Sequence, residues 1–520
     1  MNKKKLVIYW SRRDFRLRDN AALSAAVRCL TKTLQVDNAQ QKNEVFFLPL
    51  FMVEPYMTQA DPKHQFGAPS RLAISQMLPE FAKNFFGFYL AHSHPVSFFK
   101  DLYTKIQHEY NIEIYVNEDV HPDFYSQLKK IKESGYTVHL CRDQLTVNRN
   151  TKTGSGNLYS VFTPFKNSVW LSFVQEKESD ITTIKDLQEC GIQYFKLNNL
   201  DLKLDTALVT SANSTLTASF FSNIFSKNES IKVGNNIIDL QSVGLPQRNL
   251  EFWYTSEDAA QKLFCAYLSK YMVSYKEDRD SLGNDATSKM SFALAWGLMS
   301  ARTMVVLIKE YFKDPFENPF SNKSPAGPTH YISELIWREF YKYLYFHKPQ
   351  LIDQEFQEKF RGRVKWAPDV EALNYFMSWI KGETGYKIVD AAMMQLAKTG
   401  WMHNRARMIV ASVLTKNLGV DWRWGQEYFR AMLLDIDESS NIGGWQWGAS
   451  VGSDPKPIRI FNPYLQAKNY DPDGIYQKKW LGAQRWLKDS VPIVPHAEAR
   501  DSALKRYGLD KEEHLPVRDY

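Results

Sequence analysis

The most chemically loaded residues of the chain fall in one stretch, Thr399 to Trp447, which reads TGWMHNRARMIVASVLTKNLGVDWRWGQEYFRAMLLDIDESSNIGGWQW. Periodicity predicts two amphipathic helices here, from about Met402 to Leu418 and from about Trp424 to Leu434, with Asn417-Leu418-Gly419 as the stop between them. On the first, Trp401, Asn404 and Met408 recur at i, i+3 and i+7, so an aromatic, an amide and a thioether share one face flanked by Arg405 and Arg407. A plain core helix would place Leu, Ile or Val there, because a buried amide without partners costs about 1–3 kcal/mol. The bland alternative is a core helix with one satisfied Asn. Beyond the second helix, Asn441-Ile442-Gly443-Gly444-Trp445-Gln446-Trp447 sets a glycine pair between an amide and two indoles, which lets backbone approach something flat.

Two segments upstream carry related chemistry. Arg279 to Ser288 (RDSLGNDATS) leads into a helix expected near Lys289, and a glycine-containing loop ending in Thr287-Ser288 offers N–H groups, hydroxyls and a helix dipole to a pyrophosphate. Simple capping explains Thr-Ser equally well. In SELIWREF, Glu334 and Trp337 share a helical face at i, i+3, while Glu334 and Arg338 at i, i+4 describe an ordinary surface ion pair.

Together TGWMHNRARM, DW-R, NxGGWQW and RIFNP (Arg459 to Pro463) resemble the flavin-binding core of the photolyase and cryptochrome family, most closely bacterial class I cyclobutane-pyrimidine-dimer photolyases. The likeness is strongest over about residues 270–465 and looser over 5–170. It implies FAD as cofactor, bound by Tyr275, Thr287, Ser288, Ser291, Asn404, Arg407, Asp435, Asp437 and Asn441, with Asn441 facing flavin N5 and Arg407–Asp435 as an ion pair beside the ring. It also implies a flipped-out DNA lesion against Glu334, Trp337, Asn404, Met408 and Trp447, with Arg279, Trp337, Arg405 and Arg459 on the DNA. Trp445, Trp422 and Trp366 become an indole path that reduces the flavin from the surface. The implied activity is light-dependent repair of pyrimidine dimers in DNA, by electron transfer from photoexcited reduced FAD to the lesion.

These residues need a scaffold. LVIYW (residues 6–10) reads as a buried strand, followed by the turn SRRDFRLRDN and a helix from about Ala21. Strand-like runs recur at about 45–53, 87–91, 112–117 and 137–141, with helical patterns at about 70–84, 95–109 and 122–134. Such alternation predicts a parallel, doubly wound α/β domain over 1–170. A Ser-, Thr- and Asn-rich connector with little regular structure is expected over 171–250, then an all-α FAD- and DNA-binding domain over 251–520. No GxGxxG follows the first strand, so a dehydrogenase-type fingerprint is absent. The turn reads as a salt-bridged dock onto the second domain. Asn117 and Glu118, at the carboxyl end of the fourth strand where open α/β sheets bind ligands, match a pair that holds an antenna in relatives. That second chromophore would be methenyltetrahydrofolate or a deazaflavin, although Asp353 stands where some relatives have a Lys.

Composition bounds the alternatives. At 520 residues, 24% charged and 44% hydrophobic, the chain reads as a multidomain globular protein. The start MNKKKLVIYW has too short an apolar run for a signal peptide or membrane span, so a cytoplasmic monomer without membrane contact is expected. Cys29, Cys141, Cys190 and Cys265 are scattered without metal-ligand spacing, and no metal is expected. A net charge of +7 alone supports nucleic-acid binding only weakly. Nine of the 14 Trp fall between Trp366 and Trp486, a density that favours stacking or electron transfer over even core packing. Two other readings stand: a cryptochrome-type blue-light photoreceptor, and a helical nucleic-acid-binding protein without catalysis.

Overall fold

The computed structural model describes residues 3–34, 44–58, 66–179, 192–197, 200, 202, 205–209, 214–225, 229–250, 253–321, 323–453 and 458–509. Five strands form its parallel sheet: β1 (Lys4–Ser11), β2 (Val45–Val53), β3 (Phe88–His92), β4 (Tyr110–Asn117) and β5 (Thr137–Cys141), in spatial order β5-β4-β1-β2-β3. Near-continuous apolar runs such as LVIYW and VFFLPLFMV suit strands covered on both faces, and β1 divides its side chains by the strand period of two. Leu6, Ile8 and Trp10 join a core with α3 (Pro95–Ile106) and α4 (Pro122–Glu133). Val7 and Tyr9 face α1 (Ala21–Leu34) and α2 (Ala68–Ala82), in a core continuous with that of the helical half. Proline in the first turn of α2, α3 and α4 gives up no helix hydrogen bond and sets φ for the helix.

The helix α5 (Phe162–Gln175) leads into the segment read as a connector with little regular structure. That reading is corrected in part. Within it, β6 (Gln193–Tyr194) pairs with β2, β7 (Asp205–Val209) pairs antiparallel with β3, and α6 (Ser214–Ile224) follows. A two-stranded ribbon, β8 (Ser230–Val233) with β9 (Asn236–Asp239), closes it. Strands β6 and β7 gain their partners from distant β2 and β3, so local composition carried no trace of them.

Downstream the chain is helical: α7 (Glu257–Lys270), α8 (Ser291–Trp296), α9 (Ala301–Phe312), α10 (Ala326–His347), α11 (Asp369–Ile380), α12 (Lys387–Thr399), α13 (Asn404–Ser412), α14 (Trp422–Met432), α15 (Glu438–Gly448), α16 (Pro463–Tyr470), α17 (Ile475–Leu481) and α18 (His496–Arg506). Side chains cap several starts, Ser256 on Ala259 N–H, Ser300 on Thr303 N–H and Asp437 on Ser440 N–H among them. Among the described residues no helix is long and apolar enough to cross a membrane, and no cluster of His, Cys, Asp or Glu is placed to hold a metal ion. Cys190 lies outside the described residues.

The turn after β1 docks the halves together, as its arginines and aspartates suggested. Arg16 and Arg302 both pair with Asp143, and Arg302 Nε also donates to Asp19 Oδ2 at 2.8 Å. All four side chains are buried. Arg13 donates to the Ile436 carbonyl at 3.0 Å, and the Glu257 carboxylate accepts the Leu17 and Arg18 N–H groups. Gly297, at φ 72°, lies so close to the Arg13 backbone that an added Cβ would meet its carbonyl oxygen at 2.0 Å.

Candidate functional site

A cavity of about 690 Å³ opens between α8, α10, α13 and α15, with the start of α5 on one side. Each element has its local reason for ending at the wall. Gly400, at φ 68°, terminates α12, and His403 Nδ1 then accepts the Arg405 N–H to begin α13. Trp401 therefore precedes the helix and does not share its face with Asn404 and Met408, which corrects the periodicity reading. Its indole instead donates to Ser291 Oγ at 3.4 Å under the Lys289 ammonium, 3.6 Å from the ring centroid. The helix runs on through one π-helical turn (Val413–Asn417) to Gly419, so the expected stop holds. The second expected helix begins two residues earlier, at Trp422, because Asp421 caps it.

The NxGGWQW run is the inner face of α15. Gly443 presses against Tyr341, whose Cδ1 would lie 2.1 Å from any Cβ there, and Gly444 faces open space at the cavity wall. The flat group that the first glycine meets is thus a ring of α10. Helix α8 starts at Ser291, two residues after Lys289, which is in a left-handed conformation, so the expected start near Lys289 holds. Ser288 Oγ accepts the Met290 N–H and bonds Tyr331 Oη at 2.9 Å.

Most of the residues named from sequence meet on this wall: Tyr275, Arg279, Ser288, Ser291, Glu334, Trp337, Asn404, Arg407, Met408, Asp435, Asp437, Asn441, Trp445, Trp447 and Arg459. Arg407 Nη2 clamps both oxygens of Asp435 at 3.0 and 2.8 Å, giving the expected ion pair. Glu334 pairs with Arg279 across the cavity mouth, not with Arg338; Arg338 turns to Asp437 and the Leu294 carbonyl. Burial would raise the Asp437 carboxyl, but Lys342 at 3.0 Å and Arg338 hold it well below the usual carboxylate range. Asn441 Nδ2 donates to the Gln426 carbonyl at 3.1 Å, whereas its Oδ1 is buried and bonds none of the described residues; the Trp445 indole N–H is in the same condition.

Other expectations fall off the wall. Thr287 does not line the cavity, although its Oγ1 is buried without a partner among the described residues. Arg405 pairs with Asp280 at 2.7 Å and lies over Tyr470. Trp445 makes ring contacts with Phe429 at 4.9 Å and with Trp379 at 5.9 Å, and Trp379, counted in the tryptophan cluster, was not part of the indole path that the resemblance implied. Trp422 is buried with its indole N–H toward Glu355, and Trp366 is half-buried, edge-on to Tyr507. Asn117 sits in the crevice at the carboxyl end of the sheet, but the chain's own turn fills that crevice. Its Nδ2 donates to Asp14 and Asn20 and its Oδ1 accepts the Ala22 N–H, while Glu118 Oε1 accepts from Tyr125 and Arg149. Asn117 thus spends its amide on three bonds within the fold.

Sequence reasoning missed Tyr331, Arg338 and Tyr341, although they extend the α10 face of Glu334 and Trp337 at helical spacing. It also missed Val161, Phe162 and Thr163, which arrive from the other half of the chain.

Comparison with known proteins agrees with this geometry. Residues 7–180 match the family model described as DNA photolyase, and residues 331–516 match that of the FAD binding domain of DNA photolyase. A deoxyribodipyrimidine photo-lyase of Synechococcus is 32% identical over 91% of this chain and 87% of its own length. One of Salmonella typhimurium is 35% identical over 68% of this chain and 69% of its own. Among solved structures, a class III photolyase of Agrobacterium tumefaciens superposes with a TM-score of 0.68 at 27% identity, over 99% of this chain and 94% of its own. A Synechocystis cryptochrome superposes with a TM-score of 0.70 at 22% identity over 99% and 96%, a likeness of fold. With both halves matched in order and the motif residues gathered on one cavity, this chain belongs to the photolyase and cryptochrome family.

Proposed function

We propose that the protein repairs cyclobutane pyrimidine dimers in DNA under light, with FAD held in the cavity. The observation that carries the reading is the cavity itself: a stacking and hydrogen-bonding wall of Trp337, Trp447, Asn404, Met408 and Glu334 shares it with Asn441 and Trp445, each of which holds a buried polar atom unmet among the described residues. FAD fits those open atoms. The Asn441 Oδ1 suits a ring N–H, and an amide there accepts a hydrogen bond without delivering a proton. The Arg407–Asp435 pair places a cation beside a ring that carries negative charge. When bound, the flavin supplies light-driven one-electron chemistry.

On the other side of the cavity the chain deals with DNA. A dimer stacks and pairs poorly, so taking it out of the duplex costs less than taking out a normal base. Trp337 and Trp447 give its bases flat apolar walls, Glu334 and Asn404 bond base edges, and the Met408 thioether fills the remaining contact. Opening the Arg279–Glu334 pair frees a carboxylate for the base and a guanidinium for phosphate in one movement. Arg459, over the Trp447 ring at 5.4 Å, holds phosphate beside that wall. Arg405 serves the flank, with Asp280 as its resting partner.

The test is a repair assay on duplex DNA with one thymine dimer, in light and dark arms, with the enzyme reduced by dithionite. Repair confined to the light arm is expected. Flavin-containing protein that repairs nothing in either arm would leave the photoreceptor reading, and folded, colourless protein would overturn both.

A further inference from the structure

Trp337 is not a lone wall residue. Phe162, the first residue of α5, lies face to face on it with ring centroids 3.6 Å apart and planes inclined by 10°. Aromatic pairs prefer offset or edge-to-face contact at centroid distances of about 4.5–7 Å, so this sandwich is imposed by the surroundings. Those surroundings are firm. One turn on, fully buried Phe165 packs on Phe340 at 5.2 Å and Tyr343 at 5.0 Å, and the Tyr343 hydroxyl donates to the Thr151 carbonyl while accepting the Tyr159 N–H. Phe162 also packs edge-on against Phe340 at 5.8 Å. Against Tyr341, one helical turn along α10, the Trp337 ring is only tilted, by 34° at 5.5 Å.

We infer that Phe162 is the positioning residue for Trp337, fixing the indole plane so that a flipped base meets a wall already set. This inference rests on the lesion-side reading of Trp337. Its physical content is pre-organisation: a ring held before binding loses no rotamer freedom on binding. The segment that supplies Phe162 belongs to the α/β side of the chain, so the discriminating surface is assembled from both halves.

The test compares Phe162→Ala, Phe162→Leu, Phe162→Tyr, Trp337→Ala and the Phe162→Ala/Trp337→Ala double variant. The probes are a duplex bearing one thymine dimer and the same duplex undamaged. Phe162→Ala is expected to weaken dimer binding by about three- to tenfold, the span of a stacked aromatic pair, with affinity for undamaged duplex and FAD per chain unchanged. Phe162→Tyr is expected to restore discrimination, and Phe162→Ala is expected to add nothing in the Trp337→Ala background. Unchanged discrimination in Phe162→Ala while Trp337→Ala loses it would overturn the inference alone. An additional loss in the double variant would also overturn it, because Phe162 would then act directly. Loss of FAD in both Phe162→Ala and Phe162→Leu would make the residue a fold element and overturn it too. Unchanged discrimination in Trp337→Ala would overturn the lesion-side reading, and this inference with it.

Discussion

Asn117 in the α/β half and Asn441 in the helical half are both nearly inaccessible, at 3% and 8% exposure, yet their amides live differently. Asn117 makes three bonds within the fold, tying the fourth strand to the turn after the first. Asn441 makes one, through Nδ2, and leaves a buried acceptor facing a cavity. The same residue type therefore reads as structure in one half and as a site in the other. An unmet hydrogen bond on a residue of the cavity wall marks the difference, because buried polar groups are as a rule satisfied.

The seam between the halves should give the largest effect. Arg16→Ala strips buried Asp143 of one of its two cations, and breaking a buried pair costs about 3–5 kcal/mol. Urea denaturation should show that loss, with FAD per folded chain unaltered; a loss of FAD without a loss of stability would break the division between fold and site.

Next comes pH. Burial, and then the Lys289 charge, push His403 down to about 4, and Nδ1 must stay unprotonated to cap α13. The unfolded chain binds a proton near 6.5 and the folded chain only near 4. The stability is therefore present above pH 6.5 and lost as pH falls from there to 4, by up to about 3 kcal/mol. His403→Asn keeps a cap but does not titrate, so its melting temperature should vary less across that window.

The asparagines test the comparison directly. Asn117→Ala should cost about 2–3 kcal/mol, because three bonds go and Asp14 loses a buried donor, while Asn441→Ala should cost about 1 kcal/mol. The flavin absorption and reduction behaviour should change in the second variant only. Equal losses of stability, with the flavin spectrum the same in both, would erase the contrast.

An equally small effect on folding is expected for Trp445→Phe, about 1 kcal/mol, since its indole N–H has no partner to lose among the described residues. Photoreduction of the oxidised flavin should slow sharply, Phe being harder to oxidise, while protein reduced with dithionite still repairs. Matched Trp422→Phe and Trp379→Phe variants show which neighbour continues the path.

Much of this was legible because it is local. The buried strands announce themselves as apolar runs, and the 45–53 and 137–141 strands fall where expected. The Glu334–Trp337 face and the Arg407–Asp435 pair also follow from motif and spacing. What sequence hid depends on distance. β7 is a strand because β3 offers it an edge, Glu334 leaves Arg338 because Arg279 comes from another element, and Phe162 reaches Trp337 from 175 positions away. The glycine pair read as a close approach to something flat, with no element assigned; it lies in α15, and only a residue without Cβ at Gly443 lets that helix close on Tyr341.

The seam has a consequence in time. Asp19 and Asp143 are made early, and Arg302 follows Asp19 by 283 positions. At about 5–20 residues per second of synthesis, Asp19 waits roughly 15–60 s for the arginine that pairs with it. Until then Asp143 has only Arg16 and Asp19 is without its ion-pair partner, and the emergence of Arg302 from the ribosome sets the earliest moment at which the seam can close.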